Sequence, residues 1–182
     1  MPLKFAFNEA KALETLAFIA KIKAGFTPFY VAKVLFFAEK WHLNRYGRPI
    51  IADTYIAMPR GPVPSTIKNY MDGEWGWSPE PDGLDEAVKI DHSGRFPRLM
   101  PIEGRQEGGL LSSSDAECLK EAIDYCKDKS PDELSKITHF EKAWKAAEAN
   151  RPMDYADFID DDNPHKKEIL RLAQENAAYA IL

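Results

Sequence analysis

Beyond Asn8, apolar residues fall at Leu13, Leu16, Ala17, Ile19, Ala20 and Ile22, the three-to-four spacing of one broad helix face. Asn8 is a helix-capping residue type, and Gly25 closes the stretch. Thr27 and Pro28 form a cap and first-turn pair for a second helix, which is apolar nearly all round until Glu39. A helix of that kind belongs in the middle of a bundle. Gly47 supplies a left-handed stop, and Pro49 forbids continuation.

Residues 53–59 read as a short extended piece. Gly61, Pro62, Val63 and Pro64 then predict the opening of a third helix that runs to about Met71, both prolines lying in its first turn. Residues 74–83 form an aromatic, proline-containing loop with Trp75 and Trp77. Residues 86–91 and 95–102 flank His92-Ser93-Gly94 as a β-hairpin, and Pro97 marks an edge strand. Residues 103–109 are a glycine-rich flexible link. Ser114 with Glu117 reads as a capping box for an amphipathic helix, and Ser130-Pro131 begins another that continues through 141–149. Residues 154–164 are an acidic connection, and 165–182 are again helical. No internal repeat is visible. The pattern predicts a mainly α fold, a helical bundle with a small antiparallel β-hairpin inserted. One domain is expected over 1–150, with an acidic linker and helix at 151–182 packed on it.

An apolar fraction of 45% with 12% aromatic residues, over 182 residues, is enough for a real core and argues against intrinsic disorder. A net charge of -5 provides no overall basic field for nucleic acid. No run of about 18 apolar residues is present, so no membrane span is expected. The first segment is interrupted by Asn8, Glu9, Lys11 and Glu14 and lacks a small-residue cleavage site, so no signal peptide is expected and a cytoplasmic protein is. Cys118 and Cys126, roughly 12 Å apart along one helix, are too distant to bridge and read as packing residues.

Candidate chemistry is sparse. His42, His92, His139 and His165 share no ligand spacing, and Asp160, Asp161 and Asp162 lack the alternation of a calcium loop and read as a solvated turn. No serine elbow or activated cysteine stands out. Arg45, Arg48 and Arg60 around Gly61 suggest a phosphate cradle, but Pro62 and Pro64 remove amide donors that such a site would use. Arg45 lies four residues beyond Trp41, so its guanidinium can stack on the indole. His42 reads as a hydrogen-bonded structural histidine, and burial is expected for Trp41, His42 and Arg45. Asp53 is expected to pin the corner through an ion pair with the arginines.

Taken together, Trp41, His42, Tyr46, Gly47, Pro49, Asp53, Tyr55, Gly61, Pro62, Val63 and Pro64 resemble the central motif of the SocA-like, or Panacea-domain, antitoxin family. Leu111, Ser112, Ser114 and Asp115 resemble a second family motif, and Leu134, Ser135, Thr138, His139, Ala143 and Trp144 a third. Ala52 departs from the pattern, which commonly has glycine before the aspartate. The resemblance implies a bacterial or phage-associated antitoxin with no catalytic residue and no cofactor, hence not an enzyme. Its partner would be a toxin encoded by the adjacent gene, with neutralisation by direct binding. The alternative within the family is an adaptor that delivers the toxin to the ClpXP protease. An enzyme acting on a nucleotide or phosphate ligand through Arg45, Arg48, Arg60, His42 and Asp53 is the rival from another class. Partner choice is expected from Arg45, Arg48, Arg60, Trp75 and Trp77, from the hairpin and from the tail after Asn150, and self-association stays open.

Overall fold

The structure is a computed structural model, and it describes residues 3–75 and 80–179; Trp77 lies outside the described residues. Its elements are α1 (Glu9–Ile22), α2 (Pro28–Tyr46), β1 (Tyr55–Met58), β2 (Gly61–Pro64), α3 (Ser65–Asp72), α4 (Leu84–Ala87), β3 (Lys89–Asp91), β4 (Arg98–Met100), α5 (Ser113–Cys126), α6 (Pro131–His139), α7 (Lys142–Ala146), a 3-10 turn (Tyr155–Phe158) and α8 (Lys166–Tyr179). The architecture is mainly α, with two small antiparallel hairpins among the described residues.

The all-round apolar helix is the hub. α2 packs against α5, β2, α3, α6, α8 and the 3-10 turn, and Val31, Val34, Leu35, Phe36, Ala38 and Leu43 are buried. Phe36 meets Phe158 edge-on at 5.2 Å, and Phe37 meets Tyr125 at 5.0 Å. Asn8 caps α1 by accepting from the Lys11 amide, and Gly47 ends α2 at φ 73. Both boundaries lie where the sequence places them.

Three expectations are corrected. Gly61–Pro64 is not the first turn of a helix; it is strand β2, paired antiparallel with β1 in the register Tyr55↔Pro64 and Ala57↔Pro62. Pro62 and Pro64 alternate with period two. Both therefore sit opposite residues whose amides point away, since Ala57 N–H donates to the Arg151 carbonyl. The proline spacing was a strand signal. The capping box lies two residues earlier than expected: Ser112 accepts from the Asp115 amide, and Asp115 returns to the Ser112 amide. The stretch 154–164 is more than a solvated connection, because Tyr155 and Phe158 are buried in the core and Tyr155 donates to the Asp53 carbonyl.

The link at 103–109 is strapped to α1, where buried Glu14 accepts from the Gly108 amide at 2.7 Å and from Arg105 at 3.0 Å. Beyond α7, the Asn150 and Met153 amides bond to the Ala57 and Tyr55 carbonyls along the outer edge of β1, and Ile169 and Ala173 of α8 join the core.

Gly61 is the most tightly enclosed of the described glycines. Its φ is +105, and a Cβ there would lie 2.3 Å from Thr138 Oγ1 and 2.5 Å from Lys33 Nζ. Gly61→Ala combines backbone strain with overpacking and is expected to lower the unfolding free energy by about 2–4 kcal/mol. Chemical denaturation measures it, and a loss no larger than that of an ordinary surface substitution would contradict the steric account.

Candidate functional site

The corner 47–64 has irregular backbone, and buried irregular backbone must find hydrogen-bond partners. α2 supplies many of them. Glu39, with no exposed surface, accepts from the Ile50, Ile51 and Ala52 amides at 2.6, 2.8 and 3.1 Å. Ala52 adopts φ 62, turning its amide into this nest, and the left-handed backbone is the physical reason why glycine suits the position. Burial raises the Glu39 carboxyl to about 7, against the pull of its three amides. One turn on, His42 Nδ1 donates to the Arg48 carbonyl at 2.8 Å. Lys33 reaches the Pro62 carbonyl at 3.2 Å, and burial brings its ammonium down to about 7.

Asp53 is buried, but no arginine reaches it. Oδ1 accepts from the Thr54 amide at 2.7 Å and the Thr66 amide at 3.1 Å, and Oδ2 accepts from the Ile67 amide at 2.9 Å. The last two are the orphan donors of the first turn of α3, whose own cap position is Pro64 with no side chain to offer. Asp53 therefore caps α3 from outside the helix. Burial raises its carboxyl from the ordinary value, opposed by these amides.

The arginines go elsewhere and separately. Arg45, exposed rather than buried, forks onto Glu121 and lies over the Trp41 ring at 5.8 Å. Arg48 reaches Asp115 at 3.0 Å, and Arg60 reaches Asp132 at 3.1 Å. Trp41 is half-buried and Tyr46 exposed, while His42 is fully buried. The corner does not focus positive charge on one point, so the arrangement the phosphate cradle needs is not formed.

Around His42 the structure does assemble a cluster. Asp115 Oδ2 pairs with Lys11 at 2.7 Å and accepts from the Ser112 amide at 2.9 Å. Its Oδ1 has no well-angled hydrogen bond; the Arg48 guanidinium lies at 3.0 Å from it and the His42 Nε2 ring nitrogen at 3.1 Å. Burial would raise this carboxyl, but Lys11, Ser112 and Arg48 outweigh it and hold the group at about 2. His42 Nε2 also lies 2.9 Å from Ser114 Oγ. Burial, with Arg48 and Lys11 nearby, lowers the imidazole below its ordinary value, against the Arg48 carbonyl and the Asp115 charge. With Nδ1 committed as a donor, neutral His42 accepts from Ser114. The cluster joins α1, the α2 corner and the start of α5.

The third motif braces the β1–β2 turn. His139 Nε2 meets the Pro59 carbonyl at 3.0 Å, Ser135 donates to the Arg60 carbonyl, and Trp144 donates to the Met58 carbonyl at 3.0 Å while stacking on His139. Trp75 is half-buried, tilted against Tyr70 at 6.0 Å. Sequence reasoning missed Lys33, Glu39 and Lys11 as site residues. The available signal was charged residues set within otherwise apolar helix faces.

Among the described residues, no group of three or more His, Cys, Asp or Glu side chains could hold a metal, and no helix is long and apolar enough to cross a membrane. A family model described as antitoxin SocA-like, Panacea domain, matches residues 31–145, more than half of the chain. No curated protein and no solved structure is a match for it.

Two outcomes test this geometry. Asp53→Ala leaves two first-turn amides of α3 without their partner and is expected to lower stability by about 2 kcal/mol in denaturant unfolding. His42 has a folded pKa below the ordinary 6.5, so its contribution is complete above that pH and is lost as pH falls through it. Glu39 slopes the other way, since a raised carboxyl loses stability as pH rises from 4.5 through about 7. The difference in melting temperature between the natural chain and His42→Gln, followed from pH about 8 to about 5, isolates the histidine. It should narrow on acidification; a constant gap would refute the assignment.

Proposed function

The chain belongs to the SocA-like antitoxin family, carrying its Panacea domain, and from that premise we propose that it neutralises a cognate toxin by direct protein–protein binding. The observation that carries this reading is where the motif residues spend their polar groups. His42, Asp53, Ser135, His139 and Trp144 all hydrogen-bond to backbone, as does Glu39 beside them, and Gly61 leaves room for Lys33 and Thr138. Side chains used in this way build a rigid frame. An enzyme would need reactive groups converging on open space, and a binding protein needs the frame to present a surface. Arg45, Arg48 and Arg60 lie at the rim of that frame, where they are open to partner contact as well as to their own carboxylates. The partner in this reading is a toxin encoded beside the chain.

Co-expression with the product of the adjacent gene tests it. The neighbour alone should arrest growth, this chain should relieve the arrest, and the two should co-purify. Mixing the purified proteins without any protease should still abolish toxicity, which separates direct binding from delivery to ClpXP. A harmless neighbour that never binds would overturn the reading.

A further inference from the structure

Phe140 is 77% exposed, far more than any other buried-type side chain in the third motif, and it occupies the turn between α6 and α7. A surface phenylalanine with that much free area is an anomaly in a chain whose other aromatics mostly pack. It forms one wall of an open groove of about 570 Å³, with Ile137 beside it. Asp160, Asp161 and Asp162 line the same groove. The floor is braced by salt bridges: Lys40 joins Glu141 at 2.7 Å to Asp160 at 2.9 Å, and Lys142 reaches Asp161 at 2.8 Å. Lys40 is nearly buried, so Glu141 and Asp160 are tied together before anything binds.

The charge of the groove is unbalanced. Its lining carries four carboxylates, Glu141 and Asp160 to Asp162, against two ammonium groups, Lys40 and Lys142. Lys166 also serves Asp161, and outside the lining Asp157 serves Lys142. Asp162 has no ion-pair partner among the described residues, although it is exposed at the rim. Lys145 lies 5.5 Å from the Phe140 ring centroid, so one face of that ring is already in a cation's field. An apolar wall, acidic lining residues and a braced floor suit a cationic segment with one apolar or aromatic side chain: the anchor packs on Phe140 and Ile137, and the flanking Lys or Arg meet the aspartates.

We propose that this groove is where the partner protein docks, through a basic segment bearing one apolar or aromatic anchor. The proposal rests on the antitoxin reading for the identity of the partner, while the chemistry of the groove stands apart from it. The motif residues of α6 and α7 hold the turn that displays Phe140, and the segment after residue 150 supplies the three aspartates. Both parts are needed, so the site is assembled only in the folded chain.

The test uses the full chain and three variants: Phe140→Ala, Asp162→Lys, and Leu110→Asp, an exposed position outside the groove. Each is titrated with the adjacent gene product and, separately, with a synthetic peptide in which one tryptophan is flanked by lysines and arginines. The two groove variants should weaken both ligands about tenfold or more with melting temperatures unchanged, and Leu110→Asp should bind as the natural chain does. Rising salt should weaken the natural complex. Full toxin affinity in both groove variants overturns the proposal. If the gene product does not bind at all, the antitoxin reading fails by itself. The groove is then judged on the peptide: saturable binding lost in Phe140→Ala and Asp162→Lys supports it, and no saturable binding overturns it.

Discussion

A helix buried on every side cannot leave a charged group without a partner, and α2 carries three ionisable side chains in that situation. Lys33, Glu39 and His42 are each nearly or wholly without exposed surface. The corner that follows has the opposite deficit, since its backbone is irregular and enclosed. The two deficits cancel. Lys33 serves the Pro62 carbonyl, Glu39 three successive amides, and His42 the Arg48 carbonyl. Asp53 completes the set by capping α3. Removing one partner of such a pair leaves the other buried and unsatisfied, which is worse than never having had either. The polar interior is thus what fixes one path for the chain between α2 and α3.

How much of this could be seen in the sequence depends on range. Asn8, Gly47 and Ser130 act within a few residues of themselves, and the helix ends they mark follow from local rules. Period and composition also identified the central helix, because burial all round needs no knowledge of the neighbours. Gly61–Pro64 reads locally as a helix start because prolines fit both a helix first turn and the outward positions of a strand. Only the pairing with Tyr55–Met58, and the use of Ala57 by residues 150 and 151, selects the strand. Asp53 points to the arginines in sequence because no local sign shows that a helix begins across the corner. Ser112 and Asp115 form the capping box because Asp115 is also claimed by Lys11 and Arg48, contacts separated by about a hundred and about seventy residues.

The same distribution bears on function. A motif this dense in histidine, arginine, aspartate and tryptophan invites an active-site reading, yet His42, Asp53, His139 and Trp144 hold backbone and the arginines pair with three separate carboxylates. Exposed surface such as the α6–α7 turn and the acidic strip after the 3-10 turn is left out of that task.

The contacts that close the core also join residues 3–8 and the corner to the segment 153–158. The Leu3 amide donates to Asp154, the Asn8 amide to the Ile51 carbonyl, and Tyr155 to the Asp53 carbonyl, while Phe5 packs edge-on against Tyr155 at 5.3 Å. During synthesis the first helices leave the ribosome long before residues 153–158. Until those residues emerge, Phe36 and Tyr55 lack the aromatic lid that Phe158 and Tyr155 provide. That part of the core can therefore close only once residues 153–158 are in place, and a chain cut before them leaves Phe36 and Tyr55 uncovered on that side.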